Sequence, residues 1–95
     1  VLCHYPEVAL GAIYGVEASG RSVGKDNYVG QQVALLGFDD VAEAELTSPA
    51  LTFVSSPARE IGRQAARRLL TRMQQPELAP NRHLIIPSLQ KRASA

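Results

Sequence analysis

The chain has 95 residues, 45% of them hydrophobic, and its ten basic and nine acidic side chains leave a formal net charge of +1. That length holds one small domain and excludes a large two-lobed enzyme. No apolar run is long enough to span a bilayer, so small a net charge offers no broad attraction to nucleic acid, and the single cysteine, Cys3, excludes an internal disulfide framework and agrees with a reducing compartment.

Val1-Leu2-Cys3 reads as the end of a strand. It is neither an initiator Met nor a signal-peptide n-region, so the expectation is a fragment that begins inside a domain. Pro6 and Glu7 suit the first turn of a helix, because proline needs no intrahelical donor there and a carboxylate complements the dipole. The helix should run from Pro6 to about Ser19, with Gly20 as its C-cap. Val8–Val16 is apolar nearly all round, whereas a surface helix carries a polar face. Two readings stay open for it: burial within a larger parent domain, or a subunit interface to which Gly11 and Gly15 allow close approach. Arg21–Gln32, with Gly24, Asp26, Asn27 and Gly30 and no clear period, reads as a polar surface loop.

The chain is organised around Val33–Asp40, Val-Ala-Leu-Leu-Gly-Phe-Asp-Asp. Four consecutive apolar residues bounded by turn chemistry fit a strand buried on both faces of a parallel sheet, with Gly37 ending the run. Ligands of open α/β sheets collect at the carboxyl ends of strands, and Asp39 and Asp40 sit where this strand would end. A short helical stretch, Asp40–Leu46, should follow and stop at Thr47-Ser48-Pro49. Leu51–Val54, β-branched and aromatic, should be the next strand.

Ser55-Ser56-Pro57 offers a hydroxyl N-cap and a proline for the first helical position. Ala58, Ile61, Ala65, Leu69 and Met73 recur at three and four residues, so a helix should reach about Gln75, where Pro76 stops it. Arg59, Arg63, Arg67 and Arg72 fall largely on the other side. They read as a solvated row, with Glu60 placed to pair with Arg63 and Gln64, in preference to a phosphate-contacting face. Pro76–Arg82 is a polar loop, His83–Pro87 the last strand, and Gln90–Ala95 a frayed polar tail. Strands alternating with helices give an α/β fold with a parallel sheet.

Adjacent Asp39 and Asp40 point opposite ways on extended backbone, so they cannot flank one glycosidic bond. One carboxylate at a strand end can accept hydrogen bonds from ligand hydroxyls; Asp40 is better explained as a cap of the following helix. Cys3, His4 and His83 lack metal-ligand spacing. No phosphate-binding glycine loop and no nucleophile elbow is present. The sequence therefore implies no catalytic set, no metal and no cofactor.

Ala9-Leu10-Gly11-Ala12, Val33–Asp40, Pro49-Ala50-Leu51-Thr52-Phe53-Val54 and Gly62-Arg63-Gln64-Ala65-Ala66, in this order, resemble the lactose/galactose repressor family over essentially the whole chain. The resemblance implies the C-terminal part of a periplasmic-binding-protein-like effector domain with two α/β subdomains. Residues 1–54 and 84–90 would belong mainly to one subdomain, and the helix over 57–75 to the other. It implies a small-molecule effector, often a sugar, in the cleft, with Asp39 as the effector-contacting carboxylate and Ser56 as a second polar cleft position. It also implies a homodimer or higher homo-oligomer, built here on Leu10, Ile13, Tyr14 and Leu46. Operator DNA would be bound through an N-terminal helix-turn-helix outside this chain, in a cytoplasmic repressor with no membrane partner. Where the family usually has Asn and an acid, this chain has Tyr5-Pro6, so Tyr5 takes the place of an effector ligand; where some members put an aromatic on the cleft wall, it has Ala58. A transport-system sugar-binding protein of the same fold is the alternative, and a small α/β enzyme a third.

Overall fold

The computed structural model describes residues 1–26, 30 and 32–95. Strand β1 (Leu2–Cys3) leads into helix α1 (Pro6–Ala18), then β2 (Ser22–Val23), β3 (Gln32–Val33) and β4 (Leu36–Phe38). A single 3₁₀ turn (Ala42–Glu45), β5 (Thr52–Ser55), helix α2 (Ala58–Gln74) and β6 (Ser88–Gln90) complete the chain. Two units divide it: Val1–Ser56 with Ser88–Ala95, and Pro57–Pro87.

In the first unit a four-stranded sheet runs in the order β1-β4-β5-β6, and β2 pairs with β3 in a small second sheet. β1, β4 and β5 are parallel, with Leu2, Leu36 and Thr52 in one row and Cys3, Gly37 and Phe53 in the next. The expected α/β parallel class is what the strands form, with one antiparallel addition, β6 on β5. α1 begins on Pro6 at its first position and ends at Ala18; Ser19, not Gly20 as expected, is its C-cap, and Gly20 follows it and turns the chain at φ 82°. It packs on β1, β2 and β4 through Ala9 and Ile13, which join Cys3, Val23, Leu35, Ala44, Leu51 and Phe53 in the core.

Several expectations are corrected. The apolar run Val33–Leu36 is not one strand: Val33 closes β3, and β4 starts at Leu36 and continues through Gly37. Gly37 stays in the strand because a Cβ there would collide with the ring of Phe53 on β5. Arg21–Gln32 is not wholly loop, since Ser22 and Val23 pair with Gln32 and Val33; residues 27–29 and 31, Asn27 among them, lie outside the described residues. His83–Pro87 forms no strand, and pairing starts at Ser88 instead.

The polar tail is not frayed. Ser94 is fully buried, donates from Oγ to the Leu35 carbonyl (2.6 Å) and accepts from the Thr52 amide (2.8 Å). Its backbone amide donates to Ala50 (3.0 Å) and its carbonyl accepts from Leu35 (2.9 Å). Four hydrogen bonds on one small side chain and its peptide lock the chain end beneath β4 and β5, which composition alone cannot announce.

In the second unit α2 spans Ala58–Gln74, with Pro57 as the residue before it and no side-chain cap, so neither Ser55 nor Ser56 serves as the predicted N-cap. Glu60 accepts from Arg63 and Gln64, each at 3.0 Å, as their spacing predicts. None of the helix's residues is buried, and Leu69, Leu70 and Met73 are more than half exposed.

Candidate ligand-binding edge

Because β1, β4 and β5 run parallel in register, their carboxyl ends finish side by side. The residues just past those ends are His4 and Tyr5, then Asp39 and Asp40, then Ser56. The ladder closes where the Asp39 amide donates to the Val54 carbonyl (2.9 Å). At Asp39 the backbone enters the left-handed region, φ 62°. Aspartate is among the few non-glycine residues that tolerate it, at a cost of roughly 1–2 kcal/mol for a side chain with a Cβ. Such a conformation at a strand end turns the chain sharply, and residues held this way cluster at binding sites.

The turn gives the two neighbouring carboxylates different fates. Asp40 accepts from Arg92 through both oxygens, Oδ1 from Nη1 and Oδ2 from Nη2, each at 2.8 Å. Arg92 also donates to the Leu51 carbonyl (2.7 Å), its amide donates to Thr52 Oγ1 (2.9 Å), and Glu45 lies 3.5 Å from Nη2. The hydrogen bonds from Arg92 hold the Asp40 carboxyl below its ordinary value, outweighing the opposing effect of partial burial. The same contact raises the Arg92 guanidinium. Asp40 is therefore not the cap of the following turn, as its position predicts. The residue before that turn is Val41, with no side-chain capping bond. A bidentate arginine 52 residues away has taken the carboxylate instead.

Asp39, by contrast, is exposed, and among the described residues its carboxylate meets no hydrogen-bond or ion-pair partner. Tyr5 is 58% exposed, precedes α1 in extended conformation, and meets the His4 ring edge-on at 4.5 Å. His4 in turn lies 6.5 Å from Phe38. Ser56 is exposed just past β5. The edge thus combines one free carboxylate, a phenol, a hydroxyl and a short row of rings. It can accept hydrogen bonds from ligand hydroxyls at Asp39 and offer apolar ring faces or edges to a ligand body beside it. The sequence marks neither His4 nor Phe38 as a residue of this edge. They become neighbours only once β1 pairs with β4, a register that no local pattern encodes.

The four residues assigned to an interface also gather. Leu10, Ile13, Tyr14 and Leu46 line one groove of ≈ 400 Å³ with Glu17, Thr47 and Ser48. Ile13 is 7% exposed at the groove floor and belongs to the core, whereas Tyr14 (73%) and Leu46 (84%) are open to solvent. Among the described residues, no three His, Cys, Asp or Glu side chains are placed to hold a metal ion, and no helix is long and apolar enough to cross a membrane.

A small α/β unit with a polar and aromatic ledge at the carboxyl ends of adjacent parallel strands has the layout in which open α/β sheets place their ligands. The chain belongs to the periplasmic binding protein-like domain family, whose pattern matches residues 1–95. It is 36% identical over 91 residues to the maltose regulon regulatory protein MalI of Escherichia coli K12, covering 93% of this chain and 26% of that protein. To the transcriptional repressor CytR of the same organism it is 35% identical over 74 residues, 78% of this chain and 20% of that one. The chain therefore spans about a quarter of the length of the first relative and a fifth of the second.

Among solved structures, the transcriptional regulator CelR in complex with cellobiose superposes with a TM-score of 0.84 at 32% identity, over 100% of this chain and 27% of that one. The lac repressor dimer bound to operator and an anti-inducer superposes with a TM-score of 0.80 at 28% identity, over 98% of this chain and 30% of the other. These relatives are a regulatory protein, a transcriptional repressor and a transcriptional regulator.

Proposed function

We propose that the chain is the C-terminal part of the effector-binding and dimerisation domain of a bacterial transcriptional repressor, with a sugar as effector. The observation that carries this reading is the edge itself: Tyr5, Asp39 and Ser56 stand at the ends of three adjacent parallel strands, and Asp40 is withdrawn into the Arg92 clamp. A single unpaired carboxylate suits a neutral polyol, because it accepts two hydroxyls in charge-assisted hydrogen bonds of about 1.5–3 kcal/mol each. Tyr5 adds a hydroxyl and a ring, and Ser56 a further donor. The kinship with MalI and CytR supports a regulator over a transport protein of the same fold, and supports a non-catalytic role.

In this reading residues 1–54 and 84–90 belong mainly to one subdomain and the helix over 57–75 to the other. The division of the chain after Ser56 supports the first boundary, whereas residues 84–87 group with Pro57–Pro87 and only Ser88–Gln90 return to the first unit. Closure of two subdomains on the sugar then favours one of two conformations, and the difference in sugar affinity between them is the free energy available to shift operator binding. The protein would be cytoplasmic and would reach operator DNA through an N-terminal domain. The groove of Leu10, Ile13, Tyr14 and Leu46 is proposed as the face that makes the homodimer.

Two measurements on the full-length protein test the reading. Calorimetric titration with a panel of mono- and disaccharides should find at least one that binds saturably and changes operator affinity; no response to any sugar would sink the sensor role. Leu10→Glu should give monomers by analytical ultracentrifugation, whereas an unchanged dimer would remove that face from the interface.

A further inference from the structure

The near-zero net charge conceals an asymmetry. Pro57–Pro87 carries six arginines against two carboxylates, Glu60 and Glu77, a formal +4, while the other four basic and seven acidic groups leave −3. Within that basic unit, Gln64, Arg67, Arg68, Thr71 and Arg72 recur at three and four residues along α2, so they share one face. After Pro76 the chain folds back, and residues 78–81 form the opposite wall of a pocket of ≈ 420 Å³, with Asn81 at its lining.

Among the described residues, no carboxylate lines that pocket. The helix's own acid, Glu60, is taken by Arg63 and Gln64 one turn earlier. Among the described residues, none of Arg67, Arg68 and Arg72 has an acidic partner. Two of the three instead make hydrogen bonds to groups other than carboxylates. Arg68 Nη2 donates to His83 Nδ1 at 3.0 Å, and Arg72 Nη2 donates to the Leu78 carbonyl at 3.2 Å. Arg68 Nε is buried and has no hydrogen-bond partner, and buried guanidinium N–H groups are rarely left so. Like charges at Arg68 and Arg72, four residues apart, repel, and a bound anion would relieve that repulsion.

We propose that this pocket binds a phosphate monoester, the phosphoryl group lying among Arg67, Arg68 and Arg72 and the organic part against Leu78 and Asn81. Guanidinium forks match a tetrahedral oxyanion with paired N–H donors. The volume falls in the range of small-molecule sites, roughly 300–1,000 Å³, so it exceeds what a bare phosphate needs. A concavity of this kind also differs from the extended basic face that tracks a nucleic-acid backbone. The site is separate from the strand-edge ledge and does not depend on its assignment.

The test is calorimetric titration of the full-length protein with glucose 6-phosphate, glucose and inorganic phosphate, carried out in the wild type, in Asp39→Ala, and in variants of the pocket. Saturable one-to-one binding of glucose 6-phosphate that persists in Asp39→Ala, with inorganic phosphate competing for it more weakly, is expected. Arg68→Gln and Arg72→Gln should each weaken it about tenfold, the loss of one charge-assisted contact, while Arg59→Gln, on the same helix but outside the pocket, should leave it within about twofold. If Arg68→Gln impairs folding, Arg67→Gln reads the same pocket from an exposed position. Absence of saturable binding, abolition by Asp39→Ala, or an equal loss in Arg59→Gln would each overturn the proposal, as would tighter binding of a random DNA duplex with a steep salt dependence.

Discussion

Arg92→Ala should destabilise the protein by about 2–3 kcal/mol, and the same substitution decides whether Asp40 is structural. The guanidinium makes two 2.8 Å bonds to Asp40 and one of 2.7 Å to the Leu51 carbonyl. The side chains of the pair are 15% and 20% exposed. Fully exposed pairs contribute roughly 0–1 kcal/mol, and removing one member of a buried pair costs about 3–5 kcal/mol, so a mostly covered bidentate pair lies between. Equilibrium urea unfolding followed by circular dichroism reads the change; with slopes of roughly 1–3 kcal/mol per molar, the midpoint should fall by about 1 M. The pH dependence supplies an internal check. Asp40 is depressed in the folded state, so its contribution is present above its unfolded value near 3.8 and is lost as pH falls through the folded value. The gap between wild type and Arg92→Ala should therefore be constant from about pH 5 to 8 and shrink below about pH 4. A loss under about 0.5 kcal/mol at pH 7 would refute the clamp and return Asp40 to the pool of ligand-binding carboxylates.

Two further outcomes follow from the packing. Gly37→Ala should cost about 1–3 kcal/mol of stability by thermal or chemical unfolding, because the new methyl meets the Phe53 ring across β4 and β5. Ser94→Ala should lose about 1–3 kcal/mol, since the fully buried hydroxyl serves the Leu35 carbonyl and the Thr52 amide at once; no change in the unfolding midpoint would mean that the chain end is free in solution.

The features that were legible in the sequence are those whose causes are local. Pro6 and Gly20 bracket α1, and Pro76 closes α2, because proline and glycine act through their own backbone. Asp39 could be placed at a strand end because the apolar run and the acids adjoin. The errors share a different cause, a partner remote in sequence. Gly37 belongs inside β4 because of a ring on β5. Asp40 is spoken for by a residue 52 positions later, and Ser94 is buried through contacts 42 and 59 residues away. His4 meets Phe38 only through the pairing of β1 with β4. The arginine row on α2 is exposed, as its pattern predicts; that Arg67 and Arg72 of that row share a pocket with Arg68 needs the fold-back after Pro76 to be visible.

The central claim is that Asp39 is the carboxylate that holds the effector. The most direct measurement is the dissociation constant, by titration calorimetry on the full-length protein, of its best-bound sugar for wild type and Asp39→Asn. Asparagine is nearly isosteric and tolerates the left-handed backbone at φ 62°, so the exchange removes charge with little strain. Affinity should fall roughly 10- to 100-fold, the equivalent of about 1.5–3 kcal/mol for charge-assisted hydrogen bonds, with unfolding and oligomeric state unchanged. A dissociation constant within about twofold of wild type would contradict the assignment, since a carboxylate in contact with the sugar cannot be neutralised so cheaply.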